Sequence, residues 1–218
     1  ITTKNFVIAL IFIFSFANSY SQSNLKGTIH LNAMVGGLTG SSNSENDGSG
    51  IKYKYTVRGS NFGVQFQYAL EDSFSVGIGL ESNTAKLRVN DVSNNLNDPT
   101  LNIIKVSLSG RFYLLNVDKV NIFVGPTIGY ASGRDKANDS NVGAFLPNLD
   151  TLTRYSGLNY GINAGANYYF TDSFGFIFQL SYESSNLKST LSQTGNQDVL
   201  GTTKLNGLNI SGGIAVKF

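Results

Sequence analysis

His30 is the only histidine of the chain, and the sequence contains no cysteine. Imidazole and thiolate groups are frequent general bases, nucleophiles and metal ligands, so this composition excludes thiolate chemistry, a disulfide framework and most zinc sites. His30 lies between Ile29 and Leu31 in an alternating segment, on the polar side of that alternation. A hydrogen-bonding role among polar neighbours is therefore favoured over catalysis.

Five charged side chains fall in the polar phase of other alternating segments: Glu81, Lys105, Arg111, Glu183 and Lys217. Paired carboxylates such as Glu81 and Glu183 could support glycosidase chemistry, in which one acts as the acid and the other as base or nucleophile. Here the carboxylates come from distant segments and are interspersed with cations. Because charges removed from bulk water must be paired, the interpretation we favour is a set of salt bridges.

Two oxygen-rich stretches, residues 42–50 and 135–141, contain donors that calcium prefers, but neither has the spacing of a calcium-binding loop. The glycine-rich stretches lack the strand-to-helix context of a phosphate-binding loop. We therefore expect no metal and no cofactor. The formal net charge is +2 and no run of Lys or Arg is present, which argues against nucleic acid as a partner.

Residues 1–21 have the composition of a signal peptide. A lysine precedes an apolar run from Phe6 to Phe16 that is too short to span a bilayer, and small and polar residues follow it. We predict cleavage after Ser21, so that Gln22 begins the mature chain and residues 22–218 form a single domain. The alternative is a buried N-terminal helix or a membrane anchor.

After this leader, apolar and polar residues alternate almost to the end of the chain, which is the period of a β-strand. No later apolar run approaches the length of a membrane-spanning helix. Only 14% of the residues are charged, against about 25% in a soluble domain. These features predict an all-β fold, a membrane-spanning antiparallel up-and-down barrel of about eight strands, with ten also possible.

The strand pattern also predicts where the chain turns. A phase change near Gly59 indicates a bulge in the second strand. Pro126 has no amide hydrogen, so we expect a bulge or a missing hydrogen bond there. Short turns near Asp72, Asp118 and Asp172 alternate with four long polar segments. These long segments are residues 39–50, 90–99, 132–156 and 184–204.

Alternation alone does not say which face points inward, so a lipocalin-like barrel or a β-sandwich is the soluble alternative. The polar phase consists mostly of Gly, Ser, Thr, Asn and Gln, which suits a narrow, filled lumen better than a solvated exterior. The apolar phase carries aromatic residues near both ends of the strands, as at the two interfaces of a membrane. We therefore expect the apolar face to contact lipid.

With the leader, the strand pattern and the terminal sequence ISGGIAVKF, the chain resembles the small, porin-like outer-membrane barrels of the OmpA and OmpX type from about Leu25 to Phe218. The resemblance implies Sec-dependent export and location in the bacterial outer membrane, surrounded by lipid and lipopolysaccharide. It also implies that barrel-assembly machinery recognises Phe218 together with Val216, Ile214 and Ile210. The resemblance covers a barrel domain without the peptidoglycan-binding domain of full-length OmpA, and we expect a monomer.

Three classes of function are considered. The leading hypothesis is a non-enzymatic structural or surface-interaction protein with a largely plugged lumen, whose long extracellular loops adhere to or bind an unidentified ligand. The alternative is a narrow channel for ions or very small solutes. A barrel enzyme that modifies lipid A is least favoured, because it needs a histidine with a serine and an acid at the outer rim, and His30 lies near the periplasmic start of its strand. Inside the lumen, Glu81 and Lys105 are predicted to lie at similar heights on neighbouring strands and to pair.

Overall fold

The computed structural model describes residues 23–46, 52–89, 100–136, 152–192 and 199–218. Eight antiparallel strands form one closed barrel, in which each strand pairs with its neighbours in sequence and β1 pairs with β8. The eight-strand prediction is confirmed. Among the described residues, no helix is long and apolar enough to cross a membrane. The strands are β1 Ile29–Asn46, β2 Lys52–Glu71, β3 Phe74–Val89, β4 Thr100–Val117, β5 Val120–Lys136, β6 Leu152–Tyr169, β7 Phe174–Ser192 and β8 Val199–Lys217.

Most of the strands are longer than the sequence predicts, and the eight strands have 16 to 20 residues each. β1 continues through the Ser- and Asn-rich stretch to Asn46, so the prediction of a loop beginning at Thr39 was wrong. Residues in this stretch pair with both β2 and β8, and these two ladders satisfy the backbone hydrogen bonds whatever the β-propensity of the side chains. The predicted loops that remain, within 47–51, 90–99, 137–151 and 193–198, lie outside the described residues.

The predicted bulge near Gly59 is also wrong, because β2 keeps an unbroken register with β1 and with β3 at this point. The phase of the apolar residues changes for another reason. Val57 is 6% exposed and points into the lumen, whereas Phe62 is 53% exposed and points outward. β2 is therefore regular here, and what changes along it is the polarity of the residues that face inward.

Pro126 interrupts the pairing of β4 with β5. The ladder omits Gly110 and Arg111, the two β4 residues opposite Pro126 and Gly125, and resumes in the same register on either side. The expected missing bond is confirmed, because proline has no N–H to donate. The register shifts of the barrel lie nearer the short turns, within β2 and β4.

Inward-facing glycines allow neighbouring strands to approach closely on the inner side of the barrel. A Cβ atom at Gly129 would collide with the carbonyl oxygen of Val106, and one at Gly161 with that of Tyr182. A closed sheet of eight strands has a narrow interior, so its inner backbone is crowded. Side-chain-free positions at these points relieve that crowding.

The outward face carries a wide band of apolar side chains, which we call the apolar belt. Large side chains within it are strongly exposed, for example Leu108 at 60% and Phe176 at 58%. A contiguous apolar surface of this extent is not tolerated by a monomer in water. At the end of the barrel remote from the short turns, the belt is bounded by Val35, Phe62, Leu80, Ile104, Tyr130, Leu158, Tyr182 and Leu208.

Candidate functional site

At the short-turn end, the residues that precede β1 fold back beneath the barrel and form what we call the floor. His30 Nδ1 lies 2.7 Å from the Tyr169 hydroxyl, and His30 Nε2 lies 2.7 Å from Asn24 Oδ1. Asn116 Nδ2 donates to the Asn24 carbonyl at 2.6 Å and Asn116 Oδ1 accepts from the Asn24 amide at 2.9 Å. His30, Asn24 and Tyr169 are completely buried. Both imidazole nitrogens are therefore engaged within the protein.

A tight turn carries the chain from the floor into β1. Gly27 has a φ of 88°, and the Thr28 amide donates to the Leu25 carbonyl at 2.9 Å. This left-handed backbone conformation is one that glycine adopts without strain. Beside the turn, Lys26 Nζ lies 2.8 Å from Glu71 Oε1, and the hydrogen bond and charge of Glu71 raise the pKa of Lys26. Both side chains are exposed, so this ion pair adds little to stability.

Arg111 forms the next layer of the lumen and is 1% exposed. Its Nη2 donates to Gln65 Oε1 on β2 at 2.5 Å and to Gln179 Oε1 on β7 at 3.4 Å. The guanidinium carbon lies 4.1 Å from the centre of the Phe123 ring. Among the described residues, no carboxylate contacts Arg111, so neutral amides, a hydrogen bond with the Tyr113 side chain and a cation–π contact hold this buried cation.

Three of the five charged residues singled out in the sequence meet in the middle of the lumen, and we call them the triad. Lys105 Nζ lies 2.6 Å from Glu183 Oε2 and 3.2 Å from Glu81 Oε1. Glu81 is directly opposite Lys105 in the ladder, whereas Glu183 reaches it from β7. Asn159 Nδ2 also donates to Glu183 Oε2, at 3.2 Å. The three charged side chains are only 14 to 20% exposed.

The expectation of one network containing all five charged residues needs correction, because the structure separates them by height. Lys217 belongs to the floor, where its Nζ lies 4.6 Å from the centre of the Tyr169 ring and 3.5 Å from the Ser23 carbonyl oxygen. Arg111 occupies its own layer between the floor and the triad. Of the five predicted residues, Glu81, Lys105 and Glu183 are the ones that the described ion pairs connect.

Beyond the triad, the lumen becomes apolar, which the sequence analysis missed. A buried cluster there is contributed by β2, β3, β4, β5 and β7. The available signal was the appearance of large apolar residues in the phase that is polar lower down each strand, as at Val57 and Leu187. A cavity of about 70 Å³ lies between this cluster and the triad, and a polar cavity of about 20 Å³ lies on the other side of the triad. The cluster comprises Val57, Ala85, Leu87, Leu101, Ile103, Ala131 and Leu187.

Within the part of the chain that the structure describes, no three His, Asp or Glu side chains are grouped so that they could hold a metal ion. The distinctive feature of the lumen is instead a polar middle, formed by the triad and its amide-bearing neighbours, between one buried hydrophobic cluster near the floor and another at the opposite end.

Comparison with known proteins identifies the family to which this architecture belongs. The sequence matches the family model of the outer membrane protein β-barrel domain over residues 6–218. The chain belongs to this family. No curated protein is significantly similar to it in sequence.

Several solved outer-membrane barrels share the family fold with this chain. OprG from Pseudomonas aeruginosa has a TM-score of 0.68 at 15% identity, covering 91% of this chain and 99% of OprG. AlkL, solved by solid-state NMR in lipid bilayers, has a TM-score of 0.59 at 14% identity, covering 92% and 94%. Neisserial surface protein A has a TM-score of 0.51 at 12% identity, covering 88% and 100%. At these identities the likeness shows the fold alone.

As a member of the outer membrane β-barrel family, the protein resides in the bacterial outer membrane. The apolar belt therefore faces lipid, and the soluble barrel and sandwich alternatives are excluded. Short turns in such barrels lie at the periplasmic side, which places the floor there. A strand needs only about 9 to 11 residues to cross the membrane. The strands here are longer, so the outer part of the wall projects beyond the lipid.

The two ends of the chain were also singled out in the sequence. The predicted cleavage site between Ser21 and Gln22 lies outside the described residues and remains a prediction. Phe218 pairs its backbone with Ile29 through two hydrogen bonds of 2.9 and 3.1 Å, and its side chain is 75% exposed toward the surroundings. Its role, with Val216 and Ile214, as an assembly signal remains a prediction.

Proposed function

We propose that the protein is a closed outer-membrane barrel that presents its extracellular segments for interaction at the cell surface, and that it works neither as a pore nor as an enzyme. The single observation that carries this proposal is the contact of Lys105 with Glu183. β4 and β7 are separated by two other strands of an eight-stranded ring. Side chains from such distant positions touch only where they fill the interior between them.

The same closure recurs at two further heights, which strengthens the proposal. Arg111 on β4 reaches Gln65 and Gln179 on opposite sides of the ring. In the floor, His30 on β1 contacts Tyr169 on β6. A hydrated ion would have to displace each of these layers in turn, and each is fixed by hydrogen bonds between buried groups.

The cavities between the layers are small. The space of about 20 Å³ below the triad has room for about one water molecule. The space of about 70 Å³ above it is bounded mainly by apolar side chains. Neither gives an ion a continuous polar path, because the triad and the Arg111 layer separate them from the floor.

A catalytic role has less support. His30 is the only histidine of the sequence, both of its nitrogens are engaged, and it lies at the periplasmic end. Glu81 and Glu183 share one ammonium group instead of flanking an open cleft. General acid–base chemistry requires a group within reach of a substrate proton, and these residues are committed to each other.

Single-channel recording tests the closed lumen. Wild-type protein refolded into planar bilayers is expected to show no steady conductance, whereas a large porin measured in the same way is the positive control for insertion and detection. Large, steady openings whose ion selectivity changes in Lys105→Ala, with stability unaffected, would establish the channel alternative.

The surface-interaction half of the proposal needs a separate test. Residues 137–151, between β5 and β6, can be replaced by a Gly-Ser linker of equal length, with a similar replacement of 90–99 as the comparison. Cells that display either variant are then compared with wild type for adhesion to immobilised extracellular-matrix proteins. Loss of adhesion with unchanged barrel assembly supports the proposal, and equal adhesion by cells that lack the protein contradicts it.

A further inference from the structure

Cations are concentrated on the outward face of the barrel, just beyond the extracellular edge of the apolar belt. Among the side chains that the structure describes in this band, Glu45 is the single outward carboxylate, against eight outward and exposed cations. The inner face and the periplasmic turns show no such excess of cations over carboxylates. The outward cations are Lys54, Arg58, Lys86, Arg88, Arg134, Arg154, Lys188 and Lys204.

Two pairs of these cations face each other directly across neighbouring strands. Arg58 is opposite Lys86 on β2 and β3, and Arg134 is opposite Arg154 on β5 and β6. Like charges in directly opposed positions destabilise a sheet. Lys188 on β7 adds a third cation beside Arg154, since it is opposite Ser156, two residues further along β6. Such an arrangement is stabilised when an anion lies between the cations.

Unlike the Arg58–Lys86 pair, the Arg134–Arg154 pair lies within a groove. The groove has a volume of about 780 Å³ and is lined by both arginines, by Lys188 and by the hydroxyl-bearing residues Ser132 and Ser156. Ile104, which is 56% exposed at the edge of the apolar belt, also lines it. No described carboxylate is paired with these three cations. The groove thus offers donors for an anion together with contact for an apolar chain.

The height of the groove matches the headgroup layer. Tyr130 and Leu158 mark the extracellular edge of the belt on β5 and β6. Arg134 lies four residues beyond Tyr130, and Arg154 lies four residues beyond Leu158. Four residues of strand measure about 13 Å, or about 10 Å along the membrane normal at the tilt of outer-membrane strands. Long basic side chains bend toward the membrane interface, which itself is about 5 to 8 Å deep on each side. The guanidinium groups therefore reach the level of lipid phosphates.

We propose that Arg134, Arg154 and Lys188 form a binding site for the phosphate group of an outer-leaflet glycolipid, whose acyl chains lie against the apolar belt below. Arginine binds phosphate through two parallel hydrogen bonds, and a pair of arginines with a lysine suits a doubly charged phosphate. The apolar contact at Ile104 favours an amphiphile over a soluble anion. The site is independent of whether the lumen conducts.

The test measures lipid retention. Wild-type protein is refolded into phosphatidylcholine vesicles that contain either lipid A or the same lipid A after enzymatic removal of its phosphates, and bound lipid is counted by native mass spectrometry. Wild type is expected to prefer the phosphorylated form. Arg134→Gln with Arg154→Gln should weaken this binding about tenfold or more, because two charge-assisted hydrogen-bonding groups are lost.

Two controls separate binding from folding and from general charge. Lys119 lies exposed in the short turn between β4 and β5. Lys26→Gln with Lys119→Gln therefore removes the same charge at the periplasmic end and should retain lipid A as wild type does. In vesicles of phosphatidylcholine alone, the Arg134→Gln, Arg154→Gln variant should unfold at the same or higher denaturant concentration than wild type, because like-charge repulsion has been removed.

Equal retention of lipid A by wild type and by the arginine variant would overturn the proposal. An equal loss of lipid A binding in the Lys26→Gln, Lys119→Gln control would also overturn it, because net charge alone would then govern binding. A sulfated sugar without acyl chains that binds wild type as tightly as lipid A does would reassign the groove to a soluble polyanion and overturn the lipid assignment.

Discussion

Replacing Lys105 by methionine removes the only cation of the triad while leaving a side chain of similar length. The triad of two carboxylates and one ammonium has a formal charge of −1, which becomes −2 in Lys105→Met. Removing one partner of a buried ion pair costs about 3 to 5 kcal/mol. Because the three side chains are still 14 to 20% exposed, water screens part of this repulsion, and we expect a cost of about 3 kcal/mol.

The opposite charge change provides the matched control. Glu183→Gln brings the formal charge of the triad to zero and keeps an oxygen that can accept the hydrogen bond from Lys105. Its cost should be that of weakening one hydrogen bond, about 1 kcal/mol or less. The triad therefore predicts a strong asymmetry between two variants at partners only 2.6 Å apart.

Reversible urea unfolding in lipid vesicles measures both variants. For a slope of about 3 kcal/mol per molar urea, Lys105→Met should lower the unfolding midpoint by about 1 M, and Glu183→Gln should change it little. Adding Glu81→Gln and Glu183→Gln to Lys105→Met should restore most of the loss. Equal midpoints for Lys105→Met and wild type, or equal losses for Lys105→Met and Glu183→Gln, would refute the view of the triad as a desolvated ion cluster.

Three further predictions concern other parts of the molecule. N-terminal sequencing of protein extracted from membranes should give Gln22 as the first residue, and a start upstream of Phe16 would contradict the predicted leader. Phe218→Asp should reduce assembly, seen as loss of heat-modifiable migration on gels, because the last strand closes the barrel against β1. His30→Phe should lower the free energy of unfolding by about 1 to 3 kcal/mol, since it leaves the buried Tyr169 hydroxyl and Asn24 amide oxygen without their partner. An unchanged unfolding midpoint for His30→Phe would show that the floor is not held by these bonds.

Rules that relate neighbouring residues in the sequence were sufficient to predict the fold and one contact inside the lumen. The alternation of residues predicts strands, and short turns fix the register of the strands they join. Glu81 and Lys105 could be paired in advance because they lie on adjacent strands at similar heights. The break in the ladder at Pro126 could likewise be predicted, because proline lacks the amide hydrogen that would form the bond.

Contacts across the lumen could not be predicted in the same way. The height of Glu183 relative to Lys105 depends on the tilt and stagger of the whole barrel, which accumulate over the strands between them. Val57 was misjudged because β2 was assumed to keep one polar and one apolar face along its length, and Leu187 because it fell within the long connecting segment predicted for residues 184–204. Asn24 precedes the alternating pattern altogether, so nothing in its sequence context indicated a place inside the barrel.

The floor has a consequence for the order of events during biogenesis. Asn24 is bonded to His30 at the start of β1, to the carbonyl of Asp72 in the turn after β2, and to Asn116 near the end of β4. Tyr169, at the end of β6, completes the same cluster through His30. These groups come together only when most of the strands stand side by side. The segment that precedes β1 is therefore locked in place late, and its protection from an added protease would report that the barrel has closed.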